Sequence, residues 1–100
     1  MTNHKPTVAL IGALDTKGAE YEFVKQCIEE QGVTTLLIDV GVLGNPVLKP
    51  AVSADEVARA GGSTLDQLRQ GGDRGEAQRA MSAGVAALVP ELYAKGRFDG

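Results

Sequence analysis

A short loop, residues 12–18 (GALDTKG), places a carboxylate, a hydroxyl and an ammonium group at consecutive positions, Asp15, Thr16 and Lys17. An apolar run precedes the loop and an amphipathic stretch follows it, so we predict a strand that leads through this loop into a helix. The unpaired N–H groups at the start of a helix attract anions such as phosphate, and Lys17 adds a full positive charge. The loop is therefore the first candidate site for an anion, and Gly12 is its first residue.

The loop matches neither standard phosphate motif. Leu14 stands where the dinucleotide-binding fingerprint has its second glycine, and Lys17 precedes the last glycine instead of following it. Asp15 would repel a phosphate unless it caps the helix, binds a divalent metal that bridges to the phosphate, or accepts a hydrogen bond from a ribose. The alternative is that Asp15 or Thr16 caps the helix and that Lys17 is solvated.

Three further residues could help this loop. Asp39 ends the second predicted strand, where dinucleotide-binding folds place an acid that binds the ribose, and Gly41 would let a sugar or ring approach the backbone. Arg74 lies in a glycine-flanked turn and could bind phosphate through its guanidinium, provided that this turn faces the first loop across a common crevice. The alternatives are that Asp39 caps local backbone and that Arg74 is an exposed first-turn residue after an Asp73 cap.

The elements that must position these residues are an apolar strand over 7–11, a helix over about 18–31 and a second buried strand over 33–40. A strand, a helix and a strand in close succession form a parallel βαβ unit. Capping signatures at 53–56, 64–67 and 73–76 then predict two short helices and one long helix. The fold class is therefore α/β, the Rossmann-like start of a doubly wound domain.

Some helical details are also predicted. The first helix should bury Tyr21, Val24, Cys27 and Ile28, and the long helix should be kinked or broken near Val89 because Pro90 follows. The long helix also carries a stripe of small residues, with members at Ala77, Ala80 and Gly84. Three other arginines are expected on the solvated surface: Arg59, Arg69 and Arg79.

Only two strands are predicted before residues 97–100, where a third should begin. Two parallel strands do not form a stable core alone. We therefore expect residues 1–100 to be the N-terminal part of one Rossmann-like nucleotide-binding domain, with its remaining strands beyond Gly100.

Composition excludes some functions. Ten basic against thirteen acidic side chains leave no basic surface for nucleic acid. Neither a signal peptide nor an apolar run of membrane-spanning length is visible, so no membrane contact is expected. A single cysteine allows no internal disulfide and is typical of a reducing compartment, which predicts a cytoplasmic protein.

Three motifs occur in one order along the chain: residues 11–21 (IGALDTKGAEY), 39–44 (DVGVLG) and 72–75 (GDRG). Together they resemble the Tm-one-like ATP-binding domain family, which is related to a plant tobamovirus-resistance protein. The resemblance implies that ATP and Mg²⁺ are bound, that Asp15, Thr16 and Lys17 contact phosphate or metal, and that Arg74 contacts phosphate. It also implies that this chain is the N-terminal part of the first of two Rossmann-like domains.

The leading functional hypothesis is thus a Mg²⁺-dependent ATP-binding module without a catalytic residue of its own, since no nucleophile or general base is apparent. One alternative is that the segment supplies part of the active site of a longer enzyme acting on a phosphate- or carboxylate-bearing small molecule. Another is a structural segment that forms a homo-oligomer, or binds a protein partner, through the stripe of small residues.

Overall fold

Two apolar segments pair as parallel strands in the computed structural model, which describes residues 5–100. Strand β1 (Thr7–Gly12) and strand β2 (Thr34–Asp39) are joined by helix α1 (Gly18–Glu30). Their register sets Thr7 opposite Thr34 and Gly12 opposite Asp39, so both strands end at the same edge of the sheet. The predicted α/β fold with a parallel βαβ start is confirmed.

Both outer edges of this pair make backbone contacts. Beyond β2, Val52 forms an isolated parallel bridge with Ile38. Beyond β1, the N–H of Gly100 donates to the carbonyl of Thr7 (3.2 Å), and the N–H of Ala9 donates to the carbonyl of Gly100 (2.6 Å). Thr7 N–H also donates to Oδ2 of Asp99 (2.8 Å). Residues 99–100 therefore lie along β1 in a parallel pattern, while the expected remainder of the domain stays a prediction.

Three helices follow β2, and each begins at a predicted cap. They are α2 (Ala54–Ala60), α3 (Leu65–Gly71) and α4 (Arg74–Ala94). The side chains of Ser53, Thr64 and Asp73 accept hydrogen bonds from the free N–H groups at the three helix starts. Asp55 links the first two helices because it accepts from Leu65 N–H. The pKa of the Asp55 carboxyl lies below its usual value. The main cause is the hydrogen-bonded ion pair with Arg59, and the second is the hydrogen bond from Leu65.

Helices α2 and α4 approach closely because each presents a glycine to the other. A Cβ on Gly61 would collide with the carbonyl of Ala80, and a Cβ on Gly84 would collide with the carbonyl of Val57. Ala80 and Gly84 are buried in this contact. Two members of the stripe of small residues thus pack inside the molecule, whereas Ala77 is half-buried. Formation of a homo-oligomer or binding of a protein partner stays a prediction.

Helix α1 is less buried than its pattern predicts. Cys27 is exposed, Val24 is 41% exposed and Phe23 is 67% exposed, so the predictions of a buried Val24 and a buried Cys27 are wrong. Two strands about 4.8 Å apart form a platform narrower than a helix of about 10 Å diameter. The flank of α1 therefore extends past the sheet.

A break near Val89 is also excluded, because α4 continues through Pro90 to Ala94, while a kink there stays a prediction. Pro90 lacks an N–H and leaves the carbonyl of Ala86 without its helical donor. Both residues are exposed, so water can satisfy that carbonyl. Within residues 5–100, no helix is both long and apolar enough to cross a membrane.

Candidate functional site

Asp15 joins the loop after β1 to the loop after β2. Its Oδ2 accepts hydrogen bonds from the N–H groups of Leu43 and Gly44, each 3.0 Å long, and its Oδ1 accepts from Thr16 N–H at 2.8 Å. Helix α1 starts after Lys17, and no side chain caps it. The alternative that Asp15 or Thr16 caps this helix is therefore wrong, since the Asp15 carboxylate holds the neighbouring loop instead.

Gly41 makes the position of Asp15 available. A Cβ at residue 41 would collide with Oδ1 of the Asp15 carboxylate. The glycine thus lets the carboxylate lie directly against the backbone of the second loop. The group that lies against Gly41 is thus a side chain of the protein itself, and the approach of a sugar or ring stays a prediction.

The buried carboxylate of Asp39 binds backbone N–H groups of both loops. The residue is 1% exposed, and its Oδ1 accepts from Leu14 N–H (3.1 Å) and from Gly41 N–H (2.8 Å). A buried carboxylate is stabilised by such donors, which also fix the start of each loop. The structure therefore shows Asp39 capping local backbone, and a contact with a ribose stays a prediction.

Gly12 accommodates an aromatic side chain that the sequence analysis did not single out. The ring of Tyr21 lies where a Cβ on Gly12 would be, and its hydroxyl donates to the carbonyl of Ile11 (3.0 Å). Tyr21 thus ties the first turn of α1 to the end of β1. The amphipathic spacing placed Tyr21 on the buried face, but the pattern gave no sign of this hydrogen bond.

Arg69 is exposed, as expected, and its guanidinium also contacts the second loop, which the sequence analysis did not predict. Its Nε donates to the carbonyl of Val42 (2.6 Å) and its Nη2 donates to the carbonyl of Gly44 (2.9 Å). Residues 42–44 therefore lie between Asp15 on one side and α3 on the other. Arginine is suited to this role because its planar group donates in two parallel directions.

A two-part crevice lies where the strands end and α4 begins. One part is an apolar groove of about 560 Å³. Its lining includes Ile11, Val40, Val42, Ala77, Met81 and Val85. The other part, of about 470 Å³, is bounded by the loop after β2, by α3 and by the turn before α4, and it contains Arg69, Asp73 and Arg74. Val42 and Ala77 line both parts, so the groove and the charged mouth are continuous.

The charges at this site are separated by the second loop. Arg74 lines the charged mouth, and its guanidinium makes no hydrogen bond or ion pair with any residue in 5–100. Lys17 lines a different depression, beside Glu20 and Tyr21. The structure thus brings Asp15, Asp39 and Gly41 together between the two loops, whereas Arg74 lies in the charged mouth with Val42 and Leu43. Neither Thr16 nor Lys17 lines the crevice.

A protein-only metal site is not formed in the described part of the chain. Residues 5–100 contain no group of three or more His, Cys, Asp or Glu side chains that could hold a metal ion. The role of Asp15 as a metal ligand therefore stays a prediction.

Comparison with known sequences gives a family without an assigned activity. The sequence profile of the N-terminal domain of the uncharacterised protein family UPF0261 matches residues 6–100. A UPF0261 protein of Clostridium tetani is 45% identical over 93 residues, which are 93% of this chain and 23% of the relative. A UPF0261 protein of Brucella suis is 40% identical over 102 residues, covering 100% of this chain and 24% of the relative.

The predicted membership of the Tm-one-like ATP-binding domain family is therefore wrong. The profile and the relatives named above all point to UPF0261 instead. The chain spans about a quarter of the length of those relatives. No solved structure matches the chain significantly.

Proposed function

The chain belongs to the uncharacterised protein family UPF0261, and we propose that this N-terminal domain binds a nucleotide, with ATP and Mg²⁺ as the pair to test first. The observation that carries the proposal is the crevice at the carboxyl ends of β1 and β2, with an unpaired arginine at its mouth. Ligands of open parallel sheets bind at this edge. We place this activity in the cytoplasm.

The lining of the crevice suits the two halves of a nucleotide. The groove between Ile11 and Met81 is mostly apolar and large enough to receive a planar base. Arg74 stands at the other part, where its free guanidinium can donate two parallel hydrogen bonds to a phosphate. Helix α4 begins at the same point and adds the positive end of its dipole, although Asp73 already accepts from two of its N–H groups.

The loop after β1 would serve the phosphates from the other side of residues 42–44. The start of α1 has no side-chain cap, so its N–H groups and Lys17 offer a second position for an anion, and Thr16 adds a hydroxyl. Mg²⁺ commonly keeps several waters and takes one or two carboxylates together with phosphate oxygens. Asp15 would be such a carboxylate, because its three N–H donors leave part of its acceptor capacity free.

The test is a titration of the protein with ATP, ADP and NAD, with and without Mg²⁺, followed by melting temperature and by calorimetry. A ligand that binds only the folded state raises the melting temperature, and the rise grows with the logarithm of the ligand concentration above the dissociation constant. Arg74→Ala should lower ATP affinity about tenfold or more, the effect of losing one charged hydrogen bond. Lys17→Ala reports separately on the position at the start of α1.

Arg79→Ala is the matched control, because Arg79 lies on the same helix, is exposed, and lines a different depression near Gly61. Its affinity for ATP should equal that of the unchanged protein. The proposal fails if no nucleotide raises the melting temperature, or if ATP affinity is the same in Arg74→Ala and Arg79→Ala.

A further inference from the structure

We infer that Asp15 and Arg69 are positioning residues that together fix residues 42–44 as the wall of the crevice. The inference rests on the proposed nucleotide site, because the wall matters only if the crevice receives a ligand. It concerns the loop after β2, for which the sequence analysis predicted a close approach at Gly41 but no contact with Asp15 or Arg69.

The first half of the argument is the contact made by Asp15. Its carboxylate binds the N–H groups of Leu43 and Gly44, and Gly41 makes the approach possible. Leu43 is 75% exposed, so its side chain adds little packing that would hold this segment in place. Hydrogen bonds to a charged group must therefore supply much of the order.

The second half is the contact made by Arg69, which binds carbonyl groups of the same segment. The guanidinium reaches Val42 and Gly44, so residue 44 is held through both its N–H and its C=O. A negative group binds the donors and a positive group binds the acceptors, from opposite sides of one short segment. Neither contact alone fixes both groups of this segment.

The position of the segment gives the two contacts their consequence for binding. Val42 lines both parts of the crevice, and Leu43 lines the charged mouth beside Arg74. Movement of residues 42–44 would therefore change the width of the mouth and its distance from Arg74. Asp15 thus affects a ligand through the wall, whether or not Mg²⁺ is present.

Amide hydrogen exchange of the ligand-free protein tests this inference directly. Arg69 touches only carbonyl groups of the segment, so a local role would leave the exchange of Leu43 and Gly44 N–H unchanged in Arg69→Ala. We expect exchange at both amides to be at least about tenfold faster, with a smaller effect in Arg69→Lys, which keeps the charge and one donor group. Arg79→Ala is the control. Unchanged exchange in Arg69→Ala would overturn the inference.

A second arm separates positioning from metal binding. Asp15→Asn should weaken ATP binding without Mg²⁺ as well as with it, whereas Arg69→Ala should weaken it by the same factor in both conditions. A loss in Asp15→Asn that appears only with Mg²⁺ would show a metal ligand and would overturn the positioning role of Asp15. If no nucleotide binds at all, the proposed function fails, while the exchange measurement still decides whether the wall is jointly held.

Discussion

At the scale of single residues, Gly41 shows how an absent side chain shapes the candidate site. The Asp15 carboxylate lies where a Cβ of residue 41 would be, and the same residue donates its N–H to the buried Asp39. Two carboxylates from different elements thus meet at one glycine. Glycine is needed at position 41 because it leaves room for the Asp15 carboxylate. Its backbone is not in the left-handed region that glycine favours.

Gly41→Ala should therefore destabilise the protein by about 1–3 kcal/mol, the usual cost of inserting a methyl group into a packed site. The added Cβ displaces Asp15 and breaks its bonds to residues 43 and 44. Urea denaturation measures the change in the free energy of unfolding. Gly44→Ala is the control, because its Cβ would lie at an ordinary 3.8 Å from Asp15. Equal stability of the two variants would contradict the assigned role of Gly41.

The sequence predicts part of this site for a physical reason. Asp39 and Gly41 follow the end of an apolar run, and Asp15 follows the end of another, so their meeting at one sheet edge follows from parallel pairing. Arg69 is different, since its acceptors at residues 42 and 44 lie 27 and 25 positions away. No local spacing records such a contact, because it depends on how α3 folds back over the loop.

At the scale of elements, the close packing of α2 on α4 anchors the helical layer. Gly61 and Gly84 each face a carbonyl of the opposite helix, and the buried side chains of Val57 and Met81 lie in the same core cluster. The first turn of α4 carries Arg74, so this contact also sets the position of the proposed phosphate-binding residue.

Gly84→Ala tests the contact. Alanine favours a helix by up to about 1 kcal/mol over glycine, yet its methyl group would strike the backbone of α2, which moves only as a unit. We expect the clash to outweigh the helix propensity and the melting temperature to fall. Gly71→Ala is the control, because open space surrounds Gly71 and only the propensity gain remains. A Gly84→Ala variant as stable as Gly71→Ala would exclude the close approach.

Element types were predictable, whereas their surroundings were not. The period of apolar residues and the caps at Ser53, Thr64 and Asp73 indicate each helix because both signals are local. The burial of Cys27 depends on the width of the sheet beneath α1, and the effect of Pro90 depends on which side of α4 faces water. Both are properties of the assembled layers, so a pattern along one helix does not contain them.

At the scale of the whole molecule, the parallel pair is closed on the β1 side by residues near the other end of the sequence. Thr7 and Ala9 use the backbone groups that point away from β2 to bind Asp99 and Gly100. Sheet edges with unpaired groups are prone to pairing with other chains. Residues 99–100 therefore cover this edge along the N-terminal half of β1, from Thr7 to Ala9.

Removal of Asp99 and Gly100 should expose the Ala9 amide. We expect its hydrogen exchange to become about tenfold faster, because its acceptor is the carbonyl of Gly100. Thr34 N–H, which donates to the carbonyl of Pro6, is the internal reference and should change little. Equal acceleration at both amides would mean that the whole strand pair loosens, and no change at Ala9 would contradict the pairing.

The contact between Thr7 and Asp99 spans 92 positions in the sequence. On a ribosome that adds about 5–20 residues per second, β1 is synthesised roughly 5–18 seconds before these partners are. During that interval the outer edge of the first strand has no partner from its own chain on that side. Slower synthesis thus lengthens the time for which this edge can pair with other chains. A holdase chaperone would protect the nascent chain most during that interval.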